Sequence, residues 1–549
     1  MKATGKRFAT LSLLPVLLAA LFALSSCAPD PGVTQVPEGE KGSPDRSHYL
    51  TAVEDEPDTV DFQCTSIHYT IAQNVFDRLV EMENDGQGGA VILPALAESW
   101  EISDDGCRYT FHLRPGVAFS NGSPLTAADV EYTLTRLLTH PDSCNRDIAS
   151  LILGADALSA GGADRLAGFT ALSDLDFEIQ LSEPFAAFLP CLSMPGASIL
   201  DAETTAQAGD RFGKDPAWTV GTGSYILTDW TPGEGMLLAA NPACWQGPPK
   251  NDGLDLRFLT DAEEVRMTFE RGDLDILDLD EVGNAAEYFI HGDIYQDRLY
   301  TVQRIGITYV ALNESVSPLE DVRVRRALQL ALNRGVLLDA VYSGRGQIEN
   351  GIFPHGLVGY NPDLPEIPYD PDGARALLEE AGMPEGFDLP ICVNAASTQW
   401  EMGLVRLIAS MWGEVGIRAE VTVLEDAEFM RRRKAGELPC YSATWTADFD
   451  DPDNFIYTFF GSQENTSFRS LHYGKEDVMA RVQAARAISD AEERLGEYQA
   501  LERIIVQEDA AWVPLFSRLR YYVASEEVDG IRSSWNGSVK NRYRDIYFK

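Results

Sequence analysis

The sequence predicts a mixed α/β protein built from more than one domain. Its 549 residues exceed what one ordinary core accommodates, so two or three domains are expected. Hydrophobic residues make up 45% of the chain and charged ones 23%, the balance of a globular protein rather than a disordered one. The stretch Pro94–Leu138 supplies the third sign, because a strand periodicity gives way within it to a helical one.

The opening residues stand apart from the fold. Residues 1–26 combine basic Lys2, Lys6 and Arg7 with an apolar run Phe8–Leu24 and small residues Ser25-Ser26, the pattern of a secretory signal peptide. That run is short for a membrane span. Leu24-Ser25-Ser26-Cys27 resembles a bacterial lipobox, which implies cleavage before Cys27 and a diacylglyceryl group on it. Two acyl chains anchor a protein stably, whereas one holds it only marginally. Residues 27–47 are rich in Pro, Gly, Glu and Asp with little to bury, and read as a flexible tether. No later segment has eighteen consecutive apolar residues, which places the body outside the membrane.

The folded part begins with His48–Phe62, and Ile71–Val80 reads as a helix. Asp104-Asp105-Gly106 is a tight-turn sequence joining Ser99–Ser103 to Cys107–Leu113 in a β-hairpin. Tyr109, Phe111 and Leu113 share one face of the second strand; Arg108, Thr110 and His112 share the other. Thr126 is placed to cap a helix with Asp129 three residues on. Val130, Leu134, Leu137 and Leu138 then give that helix one apolar face. Farther on, Ile305–Leu312 reads as a strand closed by Asn313, and Asp321 opens a helix. Asp370–Gly382 and Gly403–Val415 are helical, and Ile417–Leu424 has the β-branched content of a strand.

Several motifs in this order resemble bacterial extracellular solute-binding protein family 5, the oligopeptide-, dipeptide- and nickel-binding receptors of ABC importers. They are P-A-L-A-E-S-W-E, F-H-L-R-P-G-V-A-F-S-N-G and L-T-A-A-D-V within Pro94–Val130, then V-G-T-G-S-Y at Val220–Tyr225. Asp321–Leu328 resembles the family's D-x-R-V-R-x-A-L, and Trp445–Phe455 its W-x-A-D-x-x-D-P-x-N-F. Glu56-Pro57-Asp58-Thr59-Val60-Asp61 is close to E-P-x-x-L-D-P, and Asn241–Trp245 to N-P-x-Y-W with Cys244 in place of tyrosine. The likeness runs from about residue 50 to 530.

The resemblance implies a two-lobed α/β periplasmic-binding-protein (Venus-flytrap) fold with a small domain inserted in the first lobe. The first lobe would take residues 46–77, 205–305 and 508–549, the insert 78–204 and the second lobe 306–507. It also implies a peptide ligand held between the lobes, delivery to an ABC permease with its ATPase subunits, and a monomer. Asp448 would accept the ligand's α-amino group and Thr444, Trp445, Thr446 and Ala447 would form the strand that pairs with its backbone. Glu56 and Pro57 would also contact it. Strict dipeptide binders place an arginine for the ligand carboxylate where this chain has Asn394–Thr398, so longer peptides are expected. On composition alone Trp445 is a core aromatic and Asp448 a turn acid.

Other chemistries find less support. The seven histidines are scattered without metal-ligand spacing, and no cofactor or metal is expected. Val220–Tyr225 fails as a dinucleotide loop, because Ile226 occupies the third glycine position. Asp450, Asp451 and Asp453 could ligate a cation but read as a solvated turn. Seven cysteines besides Cys27 form no C-x-x-C, and their odd number leaves at least one thiol. A net charge of −41 argues against nucleic acid and anionic lipid heads as partners. A receptor for a nickel chelate, sugar or opine, or a secreted hydrolase, are the alternatives, the last lacking any G-x-S-x-G elbow.

Overall fold

The computed structural model describes residues 48–549 except 66–67 and 86–88. The signal peptide, Cys27 and the tether lie outside the described residues. Chain order gives strands β1 (Tyr49–Val53), β2 (Val80–Asn84), β3 (Ala90–Pro94), β4 (Ala97–Ile102) and β5 (Arg108–Leu113). There follow β6 (Phe169–Ala171), β7 (Asp176–Gln180), β8 (Tyr225–Thr231), β9 (Gly235–Ala240), β10 (Gly253–Arg257) and β11 (Ile276–Asp278). The rest are β12 (Leu299–Gln303), β13 (Gly306–Leu312), β14 (Gly346–Ile348), β15 (Asp388–Asn394), β16 (Arg418–Leu424), β17 (Cys440–Thr446) and β18 (Trp512–Ala524).

The hairpin expected around Gly106 forms as β4 and β5, antiparallel with Ile102 opposite Tyr109, and Gly106 takes φ +68°. Tyr109, Phe111 and Leu113 are buried and Arg108 is exposed, so the two-residue period is realised. The sheet β4-β5-β7-β6 carries the helix Ala127–Thr139 on its apolar side. Asp129 Oδ2 accepts from both the backbone N–H and the hydroxyl of Thr126 at 2.8 Å. Val130, Leu134, Leu137 and Leu138 enter one core drawn from residues 79–199 together with Val220 and Phe449.

A larger sheet runs β16-β15-β17-β13-β18-β11-β1-β10-β9-β8. All seven residues of β13 are buried. Ile307, Tyr309 and Ala311 face one core and Val310 and Leu312 another, as expected of a strand covered on both faces. The long strand β18 joins the halves. Its Trp512–Phe516 segment pairs with β13, and its later residues pair with β11 and β12. This is the two-lobed α/β arrangement that the sequence predicts.

One expected element differs. The helix predicted over Ile71–Val80 ends at Val75, and Val80 already belongs to β2. The carbonyls of Val75 and Asp77 are taken by Gly223 N–H (2.9 Å) and Ile199 N–H (2.8 Å), which draws the chain out of the helix. The close approach explains the glycines of V-G-T-G: a Cβ on Gly221 would lie 2.1 Å from Val75 O. Thr222 Oγ1 and Trp245 Nε1 each donate to Asp77 Oδ2 at 2.8 Å, fixing this junction.

Candidate functional site

The site is built where β17 ends. β17 runs antiparallel to β13, with Thr446 opposite Gly306 and Thr444 opposite Thr308, their hydroxyl oxygens 2.9 Å apart. On its other side β15 reaches β17 only at Tyr441. From Ser442 to Thr446 that outer edge has no strand partner among the described residues. An unpaired edge of backbone N–H and C=O groups is a template for an added strand.

Beyond the edge, Ala447 N–H donates to Ile305 O at 2.9 Å, and the chain turns into Asp448. Asn454, at the start of the helix Asp453–Phe460, organises the turn. Its Oδ1 accepts the Asp448 N–H at 2.9 Å and its Nδ2 donates to Asp448 Oδ2 at 3.1 Å. Its carbonyl accepts Trp445 Nε1 at 3.2 Å. One asparagine thus fixes both the carboxylate and the indole.

The Asp448 side chain is exposed to water at the end of the strand. Burial pushes its carboxyl up to about 6; Asp147 adds to the shift, while Asn454 and Arg469 oppose it. Asp147 comes from the turn Arg146–Ala149 in the 79–199 core region and is itself raised, chiefly by burial. The Tyr69 hydroxyl donates to Thr65 O at 2.8 Å, and burial, with Asp448 and Asp147 contributing, raises its phenol.

The loop beyond Asp448 is locked from several sides. Asp450 accepts from Val358 N–H at 2.7 Å and Ala90 N–H at 3.0 Å, and burial pushes its carboxyl up to about 6. Arg494 forks onto Asp451 at 2.8 and 2.5 Å. Asp453 takes Arg486 Nε at 3.1 Å and the Tyr498 hydroxyl at 3.0 Å. The three acids are therefore buried and partnered, which corrects their reading as a solvated turn. Among the described residues no group of acids, histidines and cysteines is placed to hold a metal ion.

Of the residues the sequence singled out, Thr444, Trp445, Thr446, Ala447 and Asp448 come together here. Glu56 is exposed and accepts from Gly233 N–H at 3.1 Å and Trp230 Nε1 at 3.4 Å, and Pro57 beside it is buried. Sequence reasoning missed Asn454, Arg469, Asp147 and Tyr69. Asn454 lay inside the W-x-A-D-x-x-D-P-x-N-F segment; the other three carry no local signal. A thiol–imidazole contact occurs at Cys64 Sγ and His140 Nδ1, 3.3 Å apart. Burial and Asp61 push that thiol up to about 12, opposite to what a nucleophile needs. All seven described cysteines are free.

Comparisons with known proteins bear on what this site takes. Residues 91–467 match the model of bacterial extracellular solute-binding proteins, family 5. The chain is 31% identical over 468 residues to di/tripeptide-binding protein 2 of Pseudomonas aeruginosa, spanning 81% of this chain and 85% of that one. It is 29% identical to heme-binding protein A of Haemophilus influenzae, spanning 84% of each. Among solved structures it resembles the periplasmic binding protein DppA of Helicobacter pylori in complex with the peptide STSA. The TM-score is 0.75 at 25% identity, over 91% of this chain and 98% of that one.

Proposed function

The chain belongs to bacterial extracellular solute-binding protein family 5, and on that premise we propose that it captures peptides for an ABC importer. The observation that carries this is the free edge of β17 running into Asp448. A peptide laid along Ser442–Thr446 gains main-chain hydrogen bonds without its side chains being read. Its ammonium then meets Asp448, a charge-assisted bond of about 1.5–3 kcal/mol. Relatives named for di- and tripeptides support the class of ligand. Oligopeptides fit best with the absence of a basic residue at Asn394–Thr398.

Around this site we place a first lobe of residues 46–77, 205–305 and 508–549, an insert 78–204 and a second lobe 306–507, closing on the ligand by hinge motion. The loaded monomer hands its peptide to the permease and ATPase subunits. Cys27, lipidated, holds the protein at the outer face of the membrane. Cys27→Ser then releases it on fractionation, and unchanged membrane association of that variant removes the anchor.

Calorimetry on a two-by-two set tests the site. Asp448→Asn keeps the shape and removes the charge, so a free-amine peptide loses about 1.5–3 kcal/mol, roughly ten- to a hundredfold. The N-acetylated peptide binds wild type poorly and loses little more in the variant. Equal binding of free and acetylated peptide by wild type overturns the assignment and favours a non-peptide solute.

A further inference from the structure

Near Asp448 lies a cation that, among the described residues, has ring contacts but no ion-pair partner. Arg469 sets its guanidinium 4.6 Å from the centre of the Trp445 ring and 5.1 Å from that of Phe459. The flat faces of the group are used in this way, but its N–H groups project from the edges. Among the described residues, no hydrogen bond or ion pair reaches them. The nearest basic neighbour, Arg433, adds charge of the same sign. Arg469 is half-buried on the Trp445 ring, and the indole N–H of that ring donates to the same Asn454 that holds Asp448. The two act on each other through space yet stand beyond ion-pair distance.

A carboxylate and a guanidinium that flank the Trp445–Asn454 unit, neither with an ion-pair partner among the described residues, are complementary to a zwitterion. We propose that Arg469 is a second ligand-binding group, taking a carboxylate carried one or two residues from the ammonium that Asp448 accepts. This rests on the peptide reading of the site. An extended residue spans about 3.3–3.6 Å, so two residues separate the charges by about 7 Å. Arginine suits the role because its planar fork receives a carboxylate in bidentate fashion. The carboxylate can be the C-terminus of a dipeptide or the side chain of an N-terminal acidic residue.

Calorimetry with four probes separates these sources: dialanine, dialanine amide, tetraalanine amide and Asp-Ala-Ala-Ala amide. We expect dialanine to exceed its amide, or the aspartyl peptide to exceed tetraalanine amide, by about tenfold or more in affinity. The first preference identifies a terminal carboxylate and the second a side chain. Either gap collapses in Arg469→Gln and is retained in part in Arg469→Lys, which keeps the charge without the fork and controls for folding. A gap that survives in Arg469→Gln, or amides that bind as tightly as acids while still depending on Asp448, overturns the role of Arg469 alone. Failure of all four probes to bind wild type overturns the peptide reading together with it.

Discussion

Asp448 meets two opposing demands, since a ligand ammonium needs it ionised while its surroundings favour the neutral acid. Burial lifts its carboxyl from an ordinary 3.8 to about 6, and Asp147 facing it adds to the lift. Asn454 and Arg469 pull the other way. An α-amino group, with a pKa near 8, stays charged throughout this range, so only the carboxyl titrates on binding. Affinity for a free-amine peptide should therefore fall as pH drops through about 6, approaching tenfold per pH unit below it. An N-acetylated peptide should show no such slope, and calorimetry from pH 5 to 8 checks both. The stability of the unliganded protein runs in the opposite sense. A raised carboxyl contributes stability that is present below about 3.8 and is lost as pH rises through about 6. A site that is easier to fold when protonated is easier to load when ionised.

The element that presents Asp448 is a loop whose rigidity comes from the ends of other elements. Arg494, on the helix Ala491–Glu502, and Asp451 are each 8% exposed and form a bidentate pair. Removing one partner leaves a buried, uncompensated charge. Asp451→Ala should cost about 3–5 kcal/mol in denaturant unfolding, whereas a well-packed apolar replacement of both partners should be close to neutral. Similar destabilisation in the single and double replacements would mean that the loop is held mainly by packing. This element also shows what the sequence made legible. β4, β5 and the Ala127–Thr139 helix were readable because turn, cap and periodicity all lie within a few dozen residues. The strand end at Trp445–Asp448 was readable through its motif. The burial of Asp450, Asp451 and Asp453 was not, because their partners Ala90, Val358, Arg486 and Arg494 are remote in sequence. Arg469 and Asp147 stayed hidden for the same reason. The end of the first helix at Val75 was likewise set by tertiary contacts, from Gly223 and Ile199, and local propensity could not reveal them.

Across the whole molecule, contacts tie the 78–204 segment and the first half of the sheet to the second half. Ala186 N–H donates to Arg486 O at 3.1 Å, and the Arg486 guanidinium lies 4.4 Å from the Phe185 ring centre. Asp450 bonds to Ala90, and Glu287 accepts from Ser343 Oγ at 2.8 Å and from Arg345. The last is partly exposed, where an ion pair is worth about 0.2–1 kcal/mol. A ligand bound to both sides would therefore shift the balance toward closure. Small-angle scattering should show a smaller radius of gyration with saturating peptide, and identical radii would argue against closure. The strand shared by both halves carries a separate consequence, for the order of assembly. Leu50 and Ala52 sit in a sheet whose path to the other half runs through β18, and β11 meets β18 at Ile276 and Ala524. A nascent chain that has not yet delivered residue 512 lacks the strand through which the two halves of the sheet join. Both halves therefore depend on one strand near the carboxyl end, and the β13 side gains its share of that strand first.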